Sequence, residues 1–253
     1  MGGPGPRRFQ GKVALVTGAA GGIGGAVATA LSAEGAQLAL WDATTSYPRE
    51  LLERLACTET LFAALDVADG EAVDSAMAEV RRRFGQIDVL VHAAGVMSVS
   101  DIDTCSAEEW EVTIRVNLGG TFAVCKAALR EMRSVRSGRI VLVSSAAARS
   151  AGSITGIAYA ASKAGMLAIA KQLAFREARH GIRVNAVAPG FVDTDMPHGN
   201  FPEADIERAV ASFPVPRMAS AREIAEAILF LASDAADYIN GDTLFVTGGS
   251  FIA

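Results

Sequence analysis

Val13-Ala14-Leu15-Val16-Thr17-Gly18-Ala19-Ala20-Gly21-Gly22-Ile23-Gly24 decides how this 253-residue chain folds. Its first four residues form an unbroken apolar run, the pattern of a strand buried on both faces. The glycines follow at once. An alanine-rich helical stretch then runs to Glu34, with Gly35 at the C-cap position. A second apolar strand, 37–41, ends in Asp42. In that order of strand, glycine turn, helix, strand and acid, a glycine cluster reads as a dinucleotide-phosphate cradle rather than as a tight turn. Gly18 permits the sharp exit from the strand, while Gly22 and Gly24 leave room for a pyrophosphate and for close helix–strand packing. The helix N-terminus offers free N–H groups and a partial positive charge to the phosphates. Asp42 lies 18 positions after Gly24, where a carboxylate accepts hydrogen bonds from the adenosine ribose hydroxyls and repels a 2′-phosphate. No Arg or Lys stands between Gly18 and Gly24 to receive that phosphate, so NAD is preferred over NADP.

The same alternation continues along the chain. Further strands are read at 61–65, 88–91, 139–143 and 183–187, and a last one at 243–246. Helices are read at 49–55, 70–84, 106–132, 156–179 and 222–232. Ser106 stands as an N-cap with Glu109 three positions on. Six strands alternating with helices, and a seventh closing the set, predict an α/β fold: a Rossmann-type, doubly wound, seven-stranded parallel sheet flanked by helices on both faces. Ligands then bind at the carboxyl ends of the strands. Gly18, Asp42, Asp66, His92, Ser145 and Pro189 all fall at such ends.

Residues 1–8 are Gly/Pro-rich and basic and read as a flexible leader; 9–253 read as one NAD-binding domain. Hydrophobic residues make up 51% and charged residues 20%, which excludes a disordered chain. With a net charge of −5, and the basic run Arg81-Arg82-Arg83 reading as the solvated C-terminal end of a helix, nothing resembles a nucleic-acid-binding patch. No run of apolar residues is long enough to span a membrane. Cys57, Cys105 and Cys125 form no CxxC motif or even-numbered framework, which fits a reducing compartment, and a cytoplasmic location is expected. No zinc-ligand cluster is visible, so no metal site is expected.

Tyr159 and Lys163 lie four positions apart and share one helix face. A neighbouring ammonium favours the phenolate, so Tyr159 is expected to titrate below its ordinary value near ~10. Such a tyrosine exchanges a proton with an alcohol or carbonyl oxygen. Taken alone, the pair also reads as a partly buried Tyr beside a surface Lys.

Thr17-Gly18 with Gly22-Ile23-Gly24, Asp66-Val67, Asn117, Ser145, Tyr159 with Lys163, Asn185, and Pro189-Gly190 with Thr194 together resemble the short-chain dehydrogenase/reductase family, over about Phe9 to Ala253. The resemblance implies a catalytic set of Asn117, Ser145, Tyr159 and Lys163. Tyr159 is the acid/base, and Lys163 tunes it and holds the nicotinamide ribose. Ser145, rather than Ser144, orients the substrate oxygen, and Asn117 breaks its helix locally and positions a water for a proton relay. The implied cofactor-binding set is Gly18, Gly21, Gly22, Ile23, Gly24, Asp42, Asp66, Val67, Ala94, Gly95, Tyr159, Lys163, Pro189, Gly190, Val192 and Thr194. Asp66 and Val67 bracket the adenine, and Thr194 contacts the carboxamide. A homotetramer is a further implication, consistent with the apolar last strand and the helices around 106–132 and 159–179.

The chain departs from the family in two places. Asn-Asn-Ala-Gly after the fourth strand is here His92-Ala93-Ala94-Gly95; His92 is read as a structural strand-end residue, since Tyr159 already fills the acid/base role. Ser145 and Tyr159 are 14 positions apart, one more than in many relatives, and the loop 149–157 is expected to absorb the difference. The reaction expected is NAD-dependent interconversion of a secondary alcohol and a ketone on a small hydroxylated metabolite. A flap over about 193–220, carrying Met196, His198, Phe201 and Phe213, is expected to cover a partly apolar pocket. The chain also resembles bacterial 3-oxoacyl-acyl-carrier-protein reductases, with Arg136 and His180 near their carrier-binding basic positions. Those enzymes usually use NADPH and carry a basic residue where this chain has Gly21. A non-catalytic nucleotide-sensing protein of the same fold is the remaining alternative.

Overall fold

The computed structural model describes residues 7–150 and 154–252. Most of the expected leader, and 151–153 of the loop expected to absorb the extra residue, lie outside the described residues. A single sheet of seven parallel strands runs in the order β3-β2-β1-β4-β5-β6-β9. The strands are β1 (Val13–Thr17), β2 (Gln37–Asp42), β3 (Thr60–Ala64), β4 (Val89–His92), β5 (Gly138–Val143), β6 (Ile182–Pro189) and β9 (Thr243–Val246). The register pairs Val13 with Gln37 on one side of β1 and Ala14 with Val89 on the other. The chain winds outward through β2 and β3, returns to the centre, and winds the opposite way from β4. That reversal opens a crevice at the carboxyl ends of β1 and β4.

Alternation along each strand divides the core. Leu15 and Trp41 face one layer, with Leu90, Met132 and Met166. Ala14, Val16, Leu38 and Leu40 face the other, with Leu31, Ile224 and Ile228. The first layer is covered by α3 (Gly70–Phe84), α5 (Gly120–Val135) and α6 (Ile157–Glu177), and the second by α1 (Gly22–Ala33) and α9 (Ala221–Ala232). Full burial of a side chain such as Leu15 stabilises by about 1.5–3 kcal/mol, so these two layers supply most of the drive to fold. A short α2 (Arg49–Arg54) links β2 to β3.

The helix expected over 106–132 is broken. α4 (Ala107–Ile114), N-capped by Ser106 as expected, gives way to a π-turn, Arg115–Gly119, before α5 resumes. The Thr121 hydroxyl donates to the Asn117 carbonyl at 2.5 Å, supporting the widened turn. Gly120 passes so close to Val67 that a Cβ there would lie 2.6 Å from the valine Cγ2. Between β6 and α9 the segment read as a flap carries two short helices and two short strands. β7 (Val192–Asp193), α7 (Asp195–Asn200), α8 (Glu203–Ala211) and β8 (Ala219–Ser220) form an excursion whose two ends pair as a small parallel ladder. Among the described residues no helix is long and apolar enough to cross a membrane.

Candidate active site

The glycine turn is built by close approach. Gly18 has φ +65°, and a Cβ on it would lie 2.8 Å from the Ala94 backbone nitrogen; a Cβ on Gly24 would collide with the Gly18 carbonyl oxygen. Neither position admits a side chain without moving backbone. Gly21 differs. It caps α1 in an extended conformation with no side-chain cap, and nothing lies within 4 Å of where its Cβ would stand. The first turn of α1 also carries no acidic residue. The uncapped N–H groups, with open space before them, fit the phosphates of a dinucleotide.

Asp42 closes the other side of this cradle. Its Oδ2 accepts from the Ala20 N–H at 2.9 Å and its Oδ1 from the Thr44 N–H at 3.2 Å, which fixes the carboxylate at the lip of the turn. Asp66 is held by Arg115 of the π-turn at 2.7 Å, and that hydrogen bond lowers its carboxyl below the ordinary range. Val67 beside it is buried against Gly120. Gly22 abuts the Thr194 side chain, so the turn meets the start of the excursion.

The remaining expected residues, Ala94 and Asn117 excepted, converge on a cavity of about 330 Å³ at the carboxyl ends of β4, β5 and β6. Gly95, Ser145, Tyr159, Lys163, Pro189, Gly190, Val192 and Thr194 line it together with Ile23. Ser145 Oγ accepts from the Ala147 N–H at 3.1 Å, which leaves its proton free for a second partner. Ser144 is buried and donates to the Lys163 carbonyl, so it is a structural tie between β5 and α6. Lys163 Nζ donates to the Val143 carbonyl at 2.9 Å and sits 5.6 Å from the Tyr159 ring centroid. Asn117 does not point freely into the site. Its Oδ1 accepts from Val96 N at 2.8 Å, and its Nδ2 donates to Val96 O and to Ser162 Oγ. A Cβ on Gly95 would lie 3.0 Å from Asn117 Oδ1 and 3.4 Å from Lys163 Nζ, so Gly95 is what lets both approach.

Electrostatics correct one expectation. Tyr159 is pushed up to about 12, because burial outweighs the hydrogen bond with the Ser145 hydroxyl. Lys163 is pushed down to about 8 by its own burial. The ammonium donates to the Val143 carbonyl, and burial outweighs helical spacing in setting how Tyr159 titrates. At neutral pH the pair is a charged lysine beside a protonated phenol. Further positive charge near the ring is needed before the phenol becomes a base.

His92 is fully buried. Thr17 Oγ1 accepts from Ala94 N at 3.2 Å and shares a second hydrogen bond with His92 Nδ1, 2.8 Å away. Burial first, and Lys163 second, push this histidine down to about 3. It is therefore neutral and structural, bracing the turn at Gly18. His198 faces away from the cavity, bridging Asp193 at 3.0 Å and Glu203 at 3.1 Å. Sequence reasoning missed Met97, Phe191, Ser250 and Phe251, all of which line the cavity. Only tertiary folding brings the tail after β9 back to the site, and nothing local in 247–252 signals it.

The family model described as enoyl-(acyl carrier protein) reductase matches residues 18–250. The chain is 39% identical over 246 residues to the 3-oxoacyl-(acyl-carrier-protein) reductase FabG of Escherichia coli (strain K12), covering 96% of this chain and 99% of the relative. It is also 39% identical over 246 residues to the D-threitol dehydrogenase of Mycolicibacterium smegmatis, covering 96% and 94%. Among solved structures, levodione reductase superposes with a TM-score of 0.91 at 32% identity, covering 96% of this chain and 98% of that one.

The raised Tyr159 value has a direct check. The chain contains three tyrosines, so the difference between wild type and Tyr159→Phe isolates one phenol. In the ligand-free protein that difference should show no phenolate absorbance below about pH 10, the ordinary tyrosine value. Ionisation of Tyr159 below about pH 9 refutes the dominance of burial.

Proposed function

The chain belongs to the short-chain dehydrogenase/reductase family of NAD(P)-dependent oxidoreductases, and from that premise we propose that it interconverts a secondary alcohol and a ketone on a small hydroxylated metabolite, with NAD. The observation that carries this reading is the meeting of Ser145, Tyr159 and Lys163 in one cavity at the strand ends, beside an uncapped helix N-terminus. When bound, the nicotinamide supplies the hydride donor for a carbonyl carbon, or the acceptor for a carbinol hydrogen. The chain's residues handle the oxygen and its proton. Ser145 donates to the substrate oxygen, its own lone pair being occupied by Ala147 N–H. Tyr159 gives the proton to the forming alkoxide, or takes it from the alcohol. Lys163 keeps positive charge beneath the ring, and Asn117 fixes the backbone at Val96, and with it the wall of the site.

Asp42 supports NAD over NADP. Its carboxylate is tied to Ala20 N at the rim of a turn that holds no basic side chain. A 2′-phosphate there would meet a negative charge without compensation. The identity to 3-oxoacyl-(acyl-carrier-protein) reductase supports a second reading, reduction of a carrier-bound ketone. Arg136 and His180 speak against carrier docking at this chain's own cavity. Arg136 is the left-handed C-cap of α5 and donates to the Arg179 carbonyl, at the opposite end of β5 from Ser145 and roughly 20 Å along the strand. A homotetramer is part of the proposal, supported by Phe122 and Phe175 exposed on α5 and α6 and by Tyr238, Leu244 and Ile252 around the last strand. Light scattering should give four times the chain mass, and a monomer would refute it.

With a reactive alcohol, kcat/KM for NAD should exceed that for NADP by at least about tenfold, and Asp42→Ala should narrow the gap. An NADP preference of that size sinks the Asp42 argument. Tyr159→Phe should lower turnover by about 10²–10⁴ while leaving NAD binding intact. Turnover unchanged by that substitution across a panel of alcohols overturns the assigned mechanism and returns the nucleotide-sensing alternative.

A further inference from the structure

The cavity beyond Tyr159 is walled unevenly. Phe191, just after β6, packs against Phe201 at 6.0 Å and Phe213 at 5.8 Å between ring centroids. All three line the cavity, and Phe251 from the tail joins them. Phe251 is presented by a tight curl in which the Thr247 hydroxyl donates to its carbonyl, and its ring rests 4.7 Å from Phe245. The four phenylalanines are only partly buried, so apolar area remains open toward the site.

Charge is distributed in the opposite way. Among the described residues, Lys163 is the only charged side chain that lines the cavity, and its ammonium is engaged by Val143 at the nicotinamide end. The charged groups of the excursion neutralise one another outside it: His198 lies between Asp193 and Glu203, and Arg217 pairs with Glu223. Ser212 and Ser250 face the cavity but donate their hydroxyl protons to the carbonyls of Ala209 and Thr247. A carboxylate or phosphate placed here would lose its hydration without gaining a counter-charge. Ser150, Thr155 and Thr194 also line the cavity beside Ser145 and Tyr159, but the four phenylalanines offer a polyol no partner along their wall.

We propose that Phe191, Phe201, Phe213 and Phe251 form the specificity-determining wall of the site, and that the substrate is an uncharged ketone or secondary alcohol with an aromatic or cyclic hydrocarbon body. This rests on the oxidoreductase reading above and narrows it. The ring of the substrate lies against the phenylalanines, and its oxygen reaches Ser145 and Tyr159. Recognition comes from apolar area and ring packing rather than from ion pairs.

The test uses the full chain with NADH and four probes: 4-phenyl-2-butanone, erythrulose, acetoacetate and an acetoacetyl thioester. The aryl ketone should lead in kcat/KM by at least about tenfold. Phe213→Ala and Phe201→Ala should each lower its kcat/KM by about tenfold, chiefly through KM, with erythrulose changed less than about twofold. Phe213→Leu, which keeps an apolar wall, should recover most of the loss. Calorimetry supplies a readout independent of turnover: 4-phenyl-2-butanol should bind the NADH-loaded protein, where no hydride acceptor is present, weakly or not at all after Phe213→Ala, and erythritol should not bind. A lead by erythrulose, acetoacetate or the thioester overturns the apolar wall and leaves the dehydrogenase reading standing. Unchanged aryl-ketone kinetics in both alanine variants also overturns it. Turnover of none of the probes, with NAD still bound, overturns this inference together with the reading it rests on.

Discussion

The Lys163 ammonium is 4% exposed and donates to the carbonyl of Val143, the last residue of β5, so a full charge rests where water scarcely reaches it. Its fall from an ordinary 10.5 to about 8 corresponds to a penalty on the order of 3 kcal/mol. That penalty is present at neutral pH, where the lysine is charged whether the chain is folded or not. It is relieved as pH rises from about 8 toward 10.5. The surrounding structure is arranged to hold this charge in place. Ser144 ties the Lys163 backbone to the strand end, Gly95 yields the space beside Nζ, and Asn117 fixes the neighbouring loop.

A second constraint acts one strand away. The exit of β1 and the first turn of α1 touch through bare backbone at Gly18 and Gly24, with Ala94 closing in from β4. The same closeness that rules out side chains brings helix N–H groups, the Asp42 carboxylate and Tyr159 to one edge of the sheet. Placing the strand reversal between β1 and β4 makes that edge a crevice rather than a flat rim.

Features set by local physics were legible in the chain itself. The apolar runs gave all seven strands within a residue or two, and the parallel order followed from their alternation with helices. Ser106, Asp42 and the glycine turn sit where their spacing places them. Features set by distant contacts were not. The break at Asn117 is implied by the family resemblance, but the hydrogen bonds of its amide to Val96 and Ser162, 21 and 45 positions away, come only from the folded structure. Tyr159 shows the limit most sharply. Its distance from Lys163 along the helix is readable, but its burial, and the capture of the ammonium by Val143, belong to the folded sheet. Burial is what turns the phenol's shift upward. The phenylalanine wall likewise draws on four separate segments, from Phe191 to Phe251, that no window of sequence unites.

The small ladder between Val192–Asp193 and Ala219–Ser220 has a consequence for how such a chain diversifies. The excursion leaves and rejoins the body at one point, and α9 restarts immediately afterward through the capping box of Ser220 and Glu223. Because its ends are already stitched, changing its length alters the closure entropy only slowly. Its aromatic lining is therefore separable in inheritance from the nucleotide cradle, and lineages sharing the cradle are free to exchange one chemical diet for another without rebuilding the sheet.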